Sequence, residues 1–144
     1  MSFIHNPVIN YSLRTLLHPF RKLIPEKFYF AINGTVKINL NEGKSLILSG
    51  NPTSNLIRIL FWMGVRGFEY DEYKIFIRLV KRCNLFLDIG ANIGYYSIIS
   101  KIFNPRIKVI GFEPLPAAHK CFLKNIELNN IKDINVAMLA LSNK

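Results

Sequence analysis

Leu85-Phe-Leu-Asp-Ile-Gly-Ala-Asn-Ile-Gly94 is the stretch that decides the fold. Leu85, Phe86 and Leu87 form a short apolar run that reads as a buried strand, and Asp88 ends it. Gly90 and Gly94 bracket a tight turn. Tyr95, Ile98, Ile99 and Ile102 then recur at helical spacing. A strand, a glycine turn and a helix make a unit that sets a helix N-terminus and its free amides against a ligand. A residue without Cβ lets the turn adopt positive φ and lets a ligand approach the backbone. No Gly-Lys-Ser/Thr follows, so this is not a Walker phosphate loop. Asn92 stands where the dinucleotide fingerprint would place a middle glycine. A carboxylate beside the turn suits a ligand with a cationic group better than a pyrophosphate.

The next apolar strand is Ile107-Lys-Val-Ile-Gly-Phe-Glu-Pro114. Its terminal acid, Glu113, follows Asp88 by 25 residues. That is close to the roughly 20-residue offset at which a strand-end acid binds ribose hydroxyls in nucleotide-binding βαβ units. Pro114 is expected to stop the strand and open the next helix. Both acids also have plainer readings: Asp88 would cap the following turn, and Glu113 would be a solvated strand end.

Asp88-Ile-Gly-Ala-Asn-Ile-Gly94, Gly111-Phe-Glu-Pro114, Asn125-Ile-Glu-Leu-Asn129 and Ala140-Leu-Ser142, in this order, resemble the FkbM-type family of S-adenosylmethionine-dependent methyltransferases. The resemblance runs from about Gly67 to Lys144. It implies an α/β fold: the N-terminal part of a Rossmann-like class I methyltransferase sheet, its first three parallel strands with their helices. It also implies S-adenosylmethionine as cofactor. Asp88 would fix the methionine part, directly or through water. Gly90, Ala91 and Asn92 would line the cofactor. Gly94 joins this set, although close helix–strand packing explains it as well. Glu113 would accept hydrogen bonds from both ribose hydroxyls, as a two-oxygen carboxylate suits a vicinal diol. Ser142 falls near where the family meets the adenine ring. The implied reaction is methyl transfer to a hydroxyl on a small molecule, a glycan or a lipid. No catalytic base is identified, and no metal is expected.

The chain has 144 residues, enough for a sizeable core, and an apolar content of 50% that is globular rather than disordered. Its net charge is +10. The excess is spread evenly: residues 1–70 carry eight bases and three acids, residues 71–144 eleven and six. No Lys/Arg run of nucleic-acid type appears, so no nucleic-acid partner is expected. Cys83 and Cys121 give neither zinc spacing nor a disulfide framework and read as reduced thiols. No stretch approaches the roughly 18 apolar residues of a membrane span. The expected compartment is the cytoplasm, with contact at the membrane periphery left open.

Residues 1–83 read as a helical segment, a β-hairpin and lead-in helices, ahead of the partial cofactor domain at 84–144. Leu13, Leu16, Leu17 and Phe20 recur at helical spacing among Arg14, Arg21 and Lys22, and Pro19 cuts the segment. Such a segment packs on the domain or lies on a membrane surface. Thr35–Leu40 and Ser45–Leu48, joined through Gly43, form the hairpin signal. Ser54 is a candidate N-cap for the helix that follows. Ala117 to Asn130 is helical, and Ile134 to Leu141 supplies the third strand of the later half.

In a full domain of this class the strand of Leu85, Phe86 and Leu87 would lie inside the sheet. With three strands it becomes an edge with an uncovered apolar flank. Two functions therefore stand side by side. One is an FkbM-like O-methyltransferase, complete or incomplete. The other is a non-enzymatic module derived from one, binding a partner or a second copy through the exposed sheet edge.

Overall fold

The computed structural model describes residues 7–50 and 54–142. By contact density the chain divides into two units, Met1–Tyr70 and Asp71–Lys144.

The first unit begins with helix α1 (Pro7–Leu17). Pro19 sits in the first turn of the 3-10 stretch His18–Leu23 that follows, so the α-helix ends where proline cannot supply its amide. The hairpin pairs β1 (Gly34–Asn39) with β2 (Ser45–Gly50) antiparallel. Val36 opposes Leu48 and Ile38 opposes Leu46, and all four are buried, as period-two alternation requires. Helix α2 (Asn55–Met63) starts on the Ser54 hydroxyl, which accepts the Ile57 amide at 3.4 Å. Its buried face carries Ile57, Leu60 and Trp62. Trp62 stacks on Tyr29 at 5.0 Å between ring centroids and donates its indole N–H to the Phe30 carbonyl at 3.3 Å. Buried Asn10 ties α1 to the approach to β1. Its amide donates to the Ala31 carbonyl at 2.8 Å, and its oxygen accepts from the Asn33 amide at 3.1 Å.

The second unit holds α3 (Tyr70–Val80), β3 (Leu85–Ile89), α4 (Tyr95–Phe103), β4 (Lys108–Phe112), α5 (Pro116–Leu128) and β5 (Ile134–Ala137). The three strands are parallel in the order β3-β4-β5, each joined to the next through one helix. This is the expected α/β sheet, with the motif strand at its edge. The division at Asp71 places α3 with this sheet rather than with the hairpin, ahead of the start at 84 read from the motif. Packing gives the reason: Phe76 of α3 meets Phe86 of β3 at 5.1 Å and Tyr96 of α4 at 4.9 Å.

Strand register explains which side of the sheet is covered. Phe86 pairs with Val109 and Asp88 with Gly111, and cross-strand partners point to the same face. That face receives α4 and α5. The opposite face carries Leu85, Leu87 and Ile89, which the helices leave 51%, 49% and 65% exposed. Two boundaries differ from the sequence reading. Pro116, not Pro114, takes the first helical turn of α5, since β4 ends at Phe112 and three residues bridge strand to helix. Strand β5 stops at Ala137, short of Leu141, because its ladder to β4 ends where β4 does. Among the described residues no helix is long and apolar enough to cross a membrane.

One side chain holds the covered face together. The Phe122 ring of α5 is fully buried, and it fills the space that a Cβ on Gly94 or Gly111 would occupy. Phe122→Ala should lower the unfolding free energy by about 3–5 kcal/mol, measured by chemical denaturation, because the glycines on both sides cannot collapse into the cavity.

Candidate functional site

The site lies at the C-terminal ends of β3 and β4, where open α/β sheets bind ligands. Strand β3 leaves through Gly90, whose φ is +74°, and Asn92, whose φ is +51°. The amides of Gly90 and Ala91 both donate to the Phe112 carbonyl, at 2.9 and 3.0 Å, so the turn is stitched to the end of β4. A Cβ built on Gly90 would meet nothing within 4 Å. Glycine is needed there for its backbone angle, and the space beside it is open to a ligand. Gly94 differs. Its φ is +80° and the Phe122 ring lies against it, so this residue serves the approach of α5 to the turn.

Glu113 is 4% exposed. Its Oε2 accepts the Asn92 amide at 2.7 Å and its Oε1 accepts the Leu115 amide at 2.8 Å. One carboxylate thus joins the exit of β3 to the exit of β4. It is not the solvated strand end of the plainer reading, because burial requires partners that two free amides provide. Each oxygen keeps a further lone pair.

Asp88, one pair back along β3, turns its Oδ2 to the Ser97 hydroxyl of α4, which donates at 2.6 Å. Burial pushes the Asp88 carboxyl above its ordinary value, and the Ser97 hydrogen bonds pull partly against that shift. Asp88 and Glu113 therefore belong to one end of one sheet, linked through the Gly90–Gly94 turn. Of the remaining expected residues, Asn92 is exposed on the turn while the Ala91 side chain is buried beneath it. Only the Ala91 backbone is available to line a ligand. Ser142 is exposed on the exit from β5, whose last residue, Ala137, accepts the Glu113 amide at 3.0 Å.

Three further residues shape the turn. Ser97 orients Asp88. Phe122 supports Gly94. Asn125 of α5 is fully buried and donates to the Ile93 carbonyl at 2.9 Å, fixing the far side of the turn. Ser97 had a faint sequence signal, a small polar residue among the apolar positions of α4. Asn125 had one too, in the Asn-x-x-x-Asn spacing with Asn129, whose amide donates to the Asn125 carbonyl at 2.7 Å. Neither could be assigned a contact before α4 and α5 were placed.

Residues 59–143 match the TRM5/TYW2 methyltransferase domain family, which is more than half of the chain. Over 55 residues the chain is 33% identical to Methyltransferase 1 of Beauveria bassiana, which is 38% of this chain and 22% of that protein. Over 44 residues it is 39% identical to Methyltransferase sdnD of Sordaria araneosa, which is 31% of this chain and 17% of that protein. The chain thus spans about a fifth of the length of these relatives. A solved SAM-dependent methyltransferase from Agrobacterium tumefaciens superposes with a TM-score of 0.54 at 13% identity, covering 76% of this chain and 34% of that one. That likeness bears on the fold.

The raised Asp88 carboxyl has a consequence for stability. The folded state holds this proton more tightly than the unfolded chain, whose aspartate titrates near about 3.9. Stability contributed at this site is therefore greatest below that value and is lost as pH rises through the folded-state value. Asp88→Asn, which keeps an oxygen for Ser97, should abolish that loss. Denaturation midpoints of the two proteins should converge in acid and separate toward neutral pH, with the variant the more stable.

Proposed function

Because the chain belongs to the TRM5/TYW2 methyltransferase domain family, we propose that it holds S-adenosylmethionine at the ends of β3 and β4 as part of a methyltransferase. The observation that carries this reading is the Glu113 carboxylate seated across both strand exits beside an open, positive-φ glycine turn. The donors present fit the cofactor. Glu113 retains acceptor capacity for a vicinal diol, the space beside Gly90 admits a ligand against the backbone, and Asp88 supplies a carboxylate for a cationic amino group. Bound there, the cofactor would supply a methyl group on a sulfonium centre. This chain's contribution is binding and orientation: Ser97 holds Asp88, Asn125 holds the turn, and Glu113 keeps the two loops in register. Positioning of this kind is a large part of the rate of an in-line displacement.

The finer reading is an FkbM-like O-methyltransferase. It is supported by the ordered motifs Asp88–Gly94, Phe112-Glu113-Pro114 and Asn125–Asn129. Its acceptor would be a hydroxyl on a small molecule, a glycan or a lipid. Calorimetric titration of S-adenosylmethionine into this chain tests the binding step. The expected result is saturable heat that weakens at least about tenfold in Asp88→Ala and in Glu113→Ala. Absence of binding, or affinity indifferent to both substitutions, overturns the assignment of this site.

A second reading, a partner-binding module, is favoured by the apolar row Leu85, Leu87 and Ile89 on edge strand β3. It predicts self-association, read as a concentration-dependent mass by size-exclusion chromatography with light scattering. Leu87→Lys should return the protein to a monomer, and a wild-type chain that is monomeric at every concentration refutes it.

A further inference from the structure

We infer that the recess between α1 and the β1–β2 hairpin is a binding site for a phosphate ester, with Arg14 as its principal ligand. This site lies wholly in the first unit and does not depend on the methyl-donor reading. The recess measures about 470 Å³ and is walled by Tyr11, Arg14, His18, Thr35, Lys37 and Phe61 among others, with no carboxylate in its lining. That volume falls within the ordinary range of small-molecule sites.

Arg14 is what makes the recess a site. It is 6% exposed. Its guanidinium lies between two rings, 5.5 Å from the Tyr11 centroid and 5.6 Å from the Phe61 centroid. One nitrogen, Nη2, donates to the Thr35 carbonyl at 3.1 Å. The other, Nη1, is buried with no hydrogen-bond partner among the described residues. An arginine stays charged, and a buried charge without a counter-ion and with one nitrogen unpaired is costly. Burial pulls the Arg14 guanidinium below its ordinary value, and Tyr11 offers the partial compensation.

An anion supplies what Arg14 lacks. The planar fork of a guanidinium matches two oxygens of a phosphate or carboxylate group. Lys37 adds a second positive charge from the hairpin side, and a phosphate monoester carries nearly two negative ones. Burial and neighbouring Arg21 push the His18 imidazole below its ordinary value, and its ring, within 3.3 Å of the Arg21 guanidinium, walls the recess. Tyr11, on the recess wall, is 61% exposed, whereas Nη1 itself lies below the surface, so a wall side chain must move before an oxygen reaches it. The aromatic walls then flank whatever carries the phosphate. A soluble phosphorylated compound and a phospholipid headgroup share this chemistry.

Phenyl phosphate titrated calorimetrically into the full chain at about 0.15 M salt is the test, since surface attraction is largely screened there. Saturable binding is expected, weakened about tenfold or more by Arg14→Gln and several-fold by Lys37→Gln, with Arg82→Gln, in the other unit, as the unchanged control. Lys37 is an exposed strand residue, so its variant keeps the test decisive where Arg14→Gln does not fold. Co-sedimentation with phosphatidylcholine vesicles containing phosphatidic acid separates the two sources. Vesicle binding that Arg14→Gln abolishes and phenyl phosphate displaces assigns a lipid headgroup. Phenyl phosphate binding without vesicle binding assigns a soluble ester. No saturable binding in either arm, or a loss in Arg82→Gln equal to that in Lys37→Gln, overturns the proposal.

Discussion

A single buried carboxylate governs the second unit. Glu113 accepts one backbone amide from the turn after β3 and one from the bridge after β4. Parallel strands are joined only through long crossovers, so their exits have no local reason to stay together. Two charge-assisted hydrogen bonds of 2.7 and 2.8 Å hold them, together with the Gly90 and Ala91 amides on the Phe112 carbonyl. Gly90 and Asn92 take positive φ on this turn, which carries the Asn92 amide to Glu113 and leaves open space beside Gly90.

The helical layer reinforces this arrangement from below. Phe122 occupies the volume that glycine leaves at positions 94 and 111, and Asn125, one turn further along α5, caps the Ile93 carbonyl. Apolar packing and polar satisfaction thus come from the same helix face, and the turn is held on both sides. Asp88 is tied separately, to α4 through Ser97. A buried acid whose proton is favoured by desolvation sits beside one fixed by two amides. The two carboxylates therefore have different environments although they end neighbouring strands. The opposite face of β3 has no such cover, and its three large aliphatic side chains stand 49–65% exposed.

The first unit solves a different problem. Its core is aliphatic around one buried indole, Trp62, which meets the half-buried rings of Tyr29, Phe30 and Phe61, and its buried polar groups are placed one by one. Asn10 is satisfied through both ends of its amide, whereas Arg14 is satisfied through Nη2 and, among the described residues, leaves buried Nη1 without a partner. Two polar residues four apart on α1 are thus buried to different ends. One joins the helix to the chain ahead of β1, and the other faces a recess lined by rings and cations.

Much of this was legible in the residues themselves. Strand, turn and helix around Asp88–Gly94, the second strand ending in Glu113, the hairpin with Gly43 in its turn, the Ser54 cap and the break at Pro19 are local features. They depend on side-chain period, backbone freedom and missing amides, which short stretches carry intact. The strand end chosen by β5, the use of Pro116 rather than Pro114, and the grouping of α3 with the sheet are not local. Each is decided by a partner elsewhere in the chain: the length of β4, the bridge that Glu113 closes, and the Phe86 and Tyr96 rings. The site divides in the same way. Its acids and glycines were evident from order and spacing. The positions of Ser97, Phe122 and Asn125 beneath them, and of Arg14 against Thr35, came only from tertiary structure, because a hydrogen bond or a filled cavity between residues distant in sequence exists only once the chain has folded.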